Sequence, residues 1–284
     1  MSKIIISAFA DEYDHDPKLQ AEFLESRGVS FIEPRFISGR NIANLTADEA
    51  EEYAALLAKH GVRAFAIGSP LGKINLADDF EAHLELAKNC FNNAVIMGAK
   101  YIRMFSFYLR DGQTPGEARC EVIEKLGRLI DLADEYGLTL CHENEANIYG
   151  ESPDRCLDIL TAFGGRLKAV FDMGNFVLDG HNPYPDAYEL LKDYIAYFHI
   201  KDSMSAGAIV PAGLGEARIA DVLAAHKAYT DSDIVVTLEP HLETFDGLNK
   251  LASKSFENPY KFETPKIAFS TALDKLEEIL AKIG

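Results

Sequence analysis

The sequence predicts a single (β/α)₈ barrel that spans residues 1–284 as one domain. Short β-branched segments alternate with longer segments of helical periodicity along the whole chain, and this alternation occurs eight times. Strands that alternate with helices pair in parallel, and eight such units in about 250 residues match the size of a closed barrel. No linker, low-complexity tract or run of charge divides the chain.

Eight segments rich in β-branched and aromatic residues are predicted as the barrel strands. The stretches that follow them carry apolar residues at helical spacing, as Ile123, Leu126 and Ile130 do. An open, doubly wound sheet is the alternative, but it usually has a glycine-rich phosphate loop after its first strand, and residues 8–12 contain no glycine. The predicted strands are Lys3–Phe9, Val29–Phe36, Val62–Ile67, Lys100–Phe107, Leu138–Glu143, Leu167–Phe171, Ile195–Ile200 and Ile234–Leu238.

The helix boundaries are marked by capping residues and by glycines. A capping side chain precedes a proline at three predicted helix starts, and proline is favoured at the first helical position. Two further starts have the spacing of a capping box. Glycines follow several helices where a left-handed residue ends the helix. The starts are Asp16-Pro17, Ser152-Pro153, Thr264-Pro265, Thr46 with Glu49 and Thr114 with Glu117; the glycines are Gly28, Gly61, Gly98 and Gly137.

The composition excludes several classes of partner. The chain has 28 basic and 45 acidic residues, a net charge of −17. Nucleic-acid binding requires a basic face, and anionic membranes attract basic segments, so neither is an expected partner. No apolar run approaches the ~20 residues that span a bilayer. The four cysteines form no CxxC motif, and we interpret them as reduced thiols of a cytoplasmic protein.

Four consecutive predicted strands end in side chains that bind metals. Glu143 ends the fifth strand, Asp172 follows the sixth, His199 is near the end of the seventh, and Glu239 follows the eighth. The carboxyl ends of barrel strands form the active face. A buried charge is costly unless it is paired or bound to a metal. We therefore predict that these four side chains converge on one cation at the mouth of the barrel.

The predicted donor set is rich in oxygen. Three carboxylates and one imidazole favour Mn²⁺ or Mg²⁺, with Co²⁺ or Zn²⁺ as alternatives. Glu145 lies on the same strand face as Glu143 and stays an alternative ligand. Glu143 is preferred because it lies at the end of the apolar run. His142 faces the opposite side of the strand and is predicted to pack in the core.

This arrangement of strand ends resembles the sugar phosphate isomerase/epimerase superfamily, the xylose isomerase-like TIM barrels. The resemblance covers essentially the whole chain. It is carried by Phe9 with Asp11-Glu12, Ile32-Glu33, Glu143-Asn144, Phe171-Asp172, His199-Ile200-Lys201-Asp202 and Leu238-Glu239-Pro240.

The resemblance implies one divalent metal ion held by Glu143, Asp172, His199 and Glu239. In the ketose 3-epimerases of this family the two glutamates also move the substrate proton. We therefore assign Glu143 and Glu239 as the acid/base pair, with proton transfer through a metal-bound ene-diolate. The sequence departs from many members at Asn175, where they carry a histidine, and Asn175 is predicted to contact the substrate.

Two residues of the N-terminal half are predicted to bind the substrate. Glu33 ends the second strand, and Arg103 lies within the apolar fourth strand. An arginine in such a strand requires a buried carboxylate or a substrate oxygen. An internal ion pair between Arg103 and Glu33 is the alternative to substrate contact.

Three residues of the C-terminal half are also predicted near the substrate. Lys201 and Asp202 follow the ligand His199, and Asp202 either orients the metal-bound region or pairs with Lys201 to hold the loop. Arg218 follows a glycine-containing loop, residues 211–217, after the seventh strand, where barrels often hold phosphate. A plain turn is the alternative for that loop.

These features predict a divalent-metal-dependent isomerase or epimerase of a small sugar, keto-sugar or sugar phosphate. The alternatives are a metal-dependent dehydratase or lyase acting on a polyol-derived ketone such as an inosose, and a non-catalytic carbohydrate-binding barrel. Endonuclease IV resembles the fold but needs further histidines that this sequence lacks. The long connection from Thr244 to Lys261 is predicted as a lid or a subunit contact, so a homo-oligomer is compatible with the sequence.

Overall fold

The computed structural model describes residues 2–242 and 260–284. In these ranges parallel strands curl into a barrel, and helices alternate with them along the chain. The predicted α/β barrel fold is therefore confirmed. Most of the predicted lid, from Thr244 to Lys261, lies outside the described residues. Among the described residues, none of the helices has the length and apolar character that crossing a membrane requires.

Seven strands form one parallel sheet, and a short second strand lies between its two edges. The amide of Glu33 donates to the Ala8 carbonyl at 3.0 Å, and the amide of Gly68 donates to the Pro34 carbonyl at 2.9 Å. The second strand thus joins the first strand to the third. The barrel strands are β1 (Ile4–Ala8), β2 (Phe31–Ile32), β3 (Arg63–Ala64 and Ala66–Gly68), β4 (Tyr101–Met104), β5 (Thr139–Glu143), β6 (Lys168–Asp172), β7 (Ile195–Ile200) and β8 (Ile234–Leu238).

The helices begin where the capping residues predict. Thr46 and Thr114 both form complete capping boxes, and Asp16 accepts a hydrogen bond from the Lys18 amide. The helices of the described residues are α1 (Pro17–Ser26), α2 (Ala47–Lys59), α3 (Phe80–Ile96), α4 (Pro115–Glu135), α5 (Pro153–Ala162), α6 (Met173–Leu178), α7 (Tyr188–Leu191), α8 (Ile219–Tyr229) and α9 (Pro265–Ile283). Two antiparallel pairs lie outside the barrel: Phe36–Ile37 with Arg40–Asn41, and Asp202–Ser203 with Ile209–Val210.

The second strand is shorter than predicted. The sequence pattern predicts Val29–Phe36, whereas β2 has only two residues. Pro34 has no backbone N–H, so it cannot continue a strand ladder as a donor. The chain therefore leaves regular strand geometry after Ile32, and the next residues, including Arg35, lie at the mouth of the barrel.

The alternation of side chains along the strands creates two layers inside the barrel. An apolar layer contains Cys141, Val170, Tyr197 and Val235, which form one buried cluster. Side chains two residues later along a strand point the same way, one layer closer to the carboxyl ends. On β5, β6 and β7 those later residues are the predicted metal ligands. The strand period therefore places an apolar layer beneath a polar one.

Candidate functional site

Four side chains from β5, β6, β7 and the end of β8 meet at the mouth of the barrel. Glu143, Asp172, His199 and Glu239 each offer one ligand atom, and these atoms all lie within 4.8 Å of one another. None of the four residues is more than 3% exposed. The structure thus brings together the four residues that the sequence predicts as a set. We call them the ligand cluster.

The imidazole of His199 lies between carboxylates on both sides. Its Nδ1 is 3.0 Å from Glu143 Oε1 and 3.3 Å from Glu239 Oε2, while its Nε2 is 3.2 Å from Glu33 Oε2. In the neutral form of His199 that a metal ligand requires, a proton on Nε2 donated to Glu33 would leave the Nδ1 lone pair facing the ligand cluster. Burial lowers the pKa of His199, but the carboxylates of Glu143 and Glu33 outweigh it and hold the pKa well above its ordinary value.

Glu33 was predicted to contact the substrate, but in the structure it contacts the ligand His199. It is fully buried behind His199, and its other oxygen accepts a hydrogen bond from the Tyr197 hydroxyl at 2.9 Å. Both of its oxygens are therefore engaged by protein groups. Its contacts orient the imidazole, and substrate contact is not the role that this geometry indicates. Two consecutive inward residues of β7, Tyr197 and His199, hold it.

Asp172 is held by three neighbours. Its Oδ1 accepts from the amide of Asn175 at 2.8 Å, and its Oδ2 accepts from the Lys201 ammonium at 3.0 Å. The Asn144 side chain donates to the backbone carbonyl of Asp172 at 2.9 Å and accepts from the backbone amide of Asp172 at 3.0 Å. Burial raises the pKa of Asp172 to about 7, against the opposing effect of Lys201. The orientation of this carboxylate is therefore fixed before any ligand arrives.

Lys201 points into the ligand cluster. Its Nζ also donates to Asn175 Oδ1 at 3.0 Å and lies 3.2 Å from Glu239 Oε2. Burial lowers the pKa of Lys201, but Asp172 and Glu239 outweigh burial and raise it, so the side chain is an ammonium. Asn175 in turn donates to the Asn144 carbonyl at 2.9 Å. Both predicted residues, Lys201 and Asn175, thus contact the cluster.

Arg35 connects the cluster to the residues that follow the first barrel strand. Its guanidinium contacts Asp11 at 3.0 Å, Glu12 at 3.1 Å and Glu239 Oε1 at 2.9 Å. Burial raises the pKa of Glu239, but Lys201 and His241 outweigh burial and hold the pKa well below its ordinary value. No role for Arg35 was predicted from the sequence. Its position two residues after Glu33 was the available signal.

A second group of donors lies beside the ligand cluster. Glu12, Glu239 and His241 also offer ligand atoms within 4.8 Å of one another. The guanidinium of Arg35 lies among them, with Nη1 3.5 Å from His241 Nε2. A cation is therefore already placed in this group, and we interpret it as an ion-pair network.

Arg103 contacts a cluster residue. The ion pair with Glu33, the alternative to substrate contact, is wrong: Arg103 Nε lies 3.4 Å from Glu143 Oε2. Its guanidinium carbon lies 4.7 Å from the ring centre of Phe105 and 5.4 Å from that of Phe9. Arginine stacks on aromatic faces in this way because its charge is delocalised. The arginine therefore supports Glu143 from the fourth strand.

Asp202 faces away from the cluster. Its carboxylate accepts hydrogen bonds from the backbone amides of Ser203, Gly213, Gly215 and Ala217, at 2.7 to 3.0 Å. The predicted orientation toward the metal and the alternative pairing with Lys201 are both wrong. The seventh strand ends at Ile200, and the amides of the following loop give the Asp202 carboxylate its partners.

The loop predicted to bind phosphate already holds an anion of the protein itself. The amides of Gly213 and Gly215 are used by Asp202. Arg218 is exposed and forms an ion pair with Asp221 in the first turn of α8. The plain-turn alternative therefore describes this loop, and the geometry gives no support to a phosphate contact there.

Glu145 lies outside the ligand cluster. Its Oε2 is 2.9 Å from the ammonium of Lys73, which lies 4.2 Å from the ring centre of Phe105. The strand ends at Glu143, so Glu145 no longer follows strand alternation. His142 packs as predicted, with Nε2 3.0 Å from the hydroxyl of Ser106, and burial lowers its pKa to about 3.

The donor set fits a divalent ion. Three carboxylates and one imidazole are the ligands that hard and borderline divalent metals take. The surrounding buried charges are mainly acidic, and an excess of buried acid is stabilised by a bound cation. The acidic residues are Asp11, Glu12, Glu33, Glu143, Asp172 and Glu239, and the basic ones are Arg35, Arg103 and Lys201.

Several solved structures share this architecture at low sequence identity. D-allulose 3-epimerase from Methylomonas sp. has a TM-score of 0.75 at 16% identity, covering 98% of this chain and 99% of that one. The IolI protein, solved with a zinc atom, has a TM-score of 0.72 at 19% identity, covering 99% of both. The probable 3-DHS dehydratase AsbF from Bacillus anthracis has a TM-score of 0.70 at 17% identity, covering 95% and 98%.

The family assignment rests on the sequence as well as on the fold. None of the curated proteins matches the chain significantly. The family model described as xylose isomerase-like TIM barrel matches residues 21–256, which is most of the chain. The protein therefore belongs to the xylose isomerase-like TIM barrel family.

Proposed function

We propose that this protein is a divalent-metal-dependent isomerase or epimerase of a small sugar, keto-sugar or sugar phosphate. One observation carries the proposal: four buried ligand atoms from four neighbouring strands lie within 4.8 Å of one another. Buried carboxylates at such spacing repel one another unless a cation is present. A binding module for neutral sugars has no need of such a costly cluster.

Glu143, Asp172, His199 and Glu239 would hold the ion, with Mn²⁺ or Mg²⁺ preferred for this oxygen-rich set. When bound, the ion supplies a Lewis acid that polarises a substrate carbonyl. Asp172 is fixed by Asn175 and Asn144, so it serves as a rigid ligand.

Glu143 and Glu239 are the proposed acid and base. They approach His199 Nδ1 from two directions, at 3.0 and 3.3 Å. Each also has an ion-pair partner in the N-terminal half: Arg35 donates to Glu239 at 2.9 Å, and Arg103 Nε lies 3.4 Å from Glu143. A positioned carboxylate can remove the proton from the carbon beside the carbonyl. Return of the proton to the opposite face of the same carbon by a second carboxylate would give an epimer. Return of the proton to the neighbouring carbon would give an isomer.

A dehydratase or lyase acting on a polyol-derived ketone is the second candidate. Its support is the similarity in fold to AsbF, described as a probable dehydratase. The same first step, removal of a proton beside a carbonyl, precedes loss of water in that reaction. The two candidates therefore share the site and differ in the product.

The test is proton exchange in deuterium oxide with a panel of ketoses, aldoses and their phosphates. The Mn²⁺-loaded protein should incorporate deuterium beside the carbonyl of one substrate, read by mass spectrometry. Glu239→Gln should lower the exchange rate by about 10²- to 10⁴-fold, the range of general acid–base catalysis. Elemental analysis should find about one divalent ion per chain.

Glu145→Gln is the matched control, because Glu145 is a carboxylate two residues from Glu143 but pairs with Lys73 outside the cluster. This variant should keep exchange. Product that absorbs as an enone would favour the dehydratase. Absence of exchange with every substrate, together with ligand-induced changes in melting temperature, would instead indicate a carbohydrate-binding barrel.

A further inference from the structure

The ammonium of Lys201 lies between two carboxylates of the ligand cluster, those of Asp172 and Glu239. Its ammonium lies 3.0 Å from Asp172 Oδ2 and 3.2 Å from Glu239 Oε2. The residue is 4% exposed, so this is a buried ion-pair network. A lysine ammonium and a divalent ion both bind carboxylate oxygens, so the two cations would compete for the same atoms.

The other oxygens of these two carboxylates are already held by the protein. Asp172 Oδ1 accepts from the amide of Asn175 at 2.8 Å. Glu239 Oε1 accepts from Arg35 at 2.9 Å. The oxygens left to face a ligand, Asp172 Oδ2 and Glu239 Oε2, are the two that Lys201 contacts.

A divalent ion bound to those oxygens would lie within a few ångströms of the ammonium. Like charges at that distance repel strongly inside a protein, because little solvent screens them. The lysine stem is flexible, so the ammonium is able to move while the carboxylates, held by Asn175 and Arg35, stay in place.

We propose that Lys201 and the divalent ion compete for Asp172 Oδ2 and Glu239 Oε2, and that Lys201 gives up these contacts when the ion binds. Metal loading is then an exchange of one cation for another. The ammonium also has a third acceptor, Asn175 Oδ1 at 3.0 Å, which is not a member of the ligand cluster. This inference rests on the proposed function for the existence of the metal site.

The experiment compares Mn²⁺ binding by the full-length protein and by Lys201→Met and Lys201→Gln, using titration calorimetry on chelator-treated samples. Both variants should bind Mn²⁺ about tenfold more tightly or better, because no resident charge opposes the ion. Without metal, both should melt at lower temperature than the parent protein, and Mn²⁺ should raise their melting temperature more.

Lys73→Met is the matched control. It removes a half-buried positive charge next to the same mouth, but Lys73 pairs with Glu145 and not with the ligand cluster. Its effect on Mn²⁺ affinity should be clearly smaller than that of Lys201→Met. An equal effect would mean that general electrostatics, and not exchange, governs metal binding.

Two further outcomes would overturn the inference. Unchanged or weaker Mn²⁺ affinity in the Lys201 variants, while the parent protein binds, would refute the exchange and leave the metal site standing. Failure of all proteins to bind Mn²⁺ would refute the proposed function itself. If Lys201→Met does not fold without metal, a crystal structure of the Mn²⁺-loaded parent decides: persistence of the 3.0 Å contact with Asp172 Oδ2 contradicts the exchange.

Discussion

The two halves of the barrel contribute different chemistry to the same mouth. The strands β5 to β8 supply the ligand cluster, whereas the strands β1 to β4 and the residues after them supply the side chains that hold it. Arg35 contacts Glu239, Arg103 contacts Glu143, and Glu33 contacts His199. The C-terminal half also provides a partner, because Lys201 contacts both Asp172 and Glu239.

This difference shows how the protein tolerates several carboxylates in one buried place. A buried charge is costly, and removal of its partner leaves that cost uncompensated. Each cluster residue therefore has a partner that fixes its orientation. The partner residues are as necessary to the site as the ligands, although most of them are not expected to touch a metal.

The largest effect is expected from Arg35→Met, which removes the partner of Asp11, Glu12 and Glu239 at once. Breaking a buried ion pair from one side typically costs about 3–5 kcal/mol. The free energy of unfolding, measured in urea, should fall by that order.

Arg166→Met is the control for this variant, because Arg166 forms ion pairs with Asp131 and Asp134 at the surface. Exposed ion pairs contribute little to stability. Similar losses from the two variants would contradict the division of labour between the halves.

A smaller effect is expected from Gly215→Ala in the C-terminal half. A Cβ at this position would lie 2.2 Å from Asp202 Oδ1 and 2.6 Å from the Ser203 carbonyl. Relief of such an overlap costs about 1–3 kcal/mol. The unfolding free energy should fall accordingly, whereas Gly116→Ala, which meets nothing within 4 Å, should not lower it. Equal stability of both variants would show that the Asp202 loop is loosely packed.

The smallest effect concerns His83 in the N-terminal half, whose Nε2 accepts from the amide of Gly72 at 2.9 Å. Burial lowers the pKa of His83 to about 4, from an ordinary value of 6.5. The unfolded chain therefore takes up the proton first as the pH falls, and stability is lost between pH 6.5 and pH 4. The contribution is on the order of 2 kcal/mol after allowance for partial solvation.

The His83→Gln variant keeps a side-chain acceptor for the Gly72 amide but removes the imidazole that takes up a proton. The variant should lose less stability than the parent between pH 6.5 and pH 4, measured by urea unfolding at each pH. An unaltered profile in His83→Gln would show that His83 does not titrate in this range.

Much of the ligand cluster was predictable because it follows from local sequence. Apolar strands that stop at Glu143, Asp172 and His199 place those side chains on the inward face by strand alternation alone. The register of neighbouring parallel strands then brings the ends together, as His199 pairs with Asp172 across β6 and β7. The helix starts at Thr46 and Thr114 were predictable for the same reason, because capping is local.

The partners of the cluster were harder to predict because they come from distant parts of the chain. Arg35 reaches Glu239 across 204 residues, and Glu33 reaches His199 across 166. Sequence spacing holds no information on which buried arginine meets which carboxylate. For Arg103 the sequence indicated the need for a partner, and the expected one, Glu33, was wrong.

The sequence by itself determined the order of strands and helices, their caps, and the four side chains that end the last strands. These follow from periodicity and local hydrogen bonding, which neighbouring residues decide. Only the tertiary structure decided that Asp202 turns away to bind backbone amides while Lys201 turns toward Asp172. The reason is physical: closure of the barrel sets which buried charges face one another, and each must find its counter-charge among residues far away in the chain.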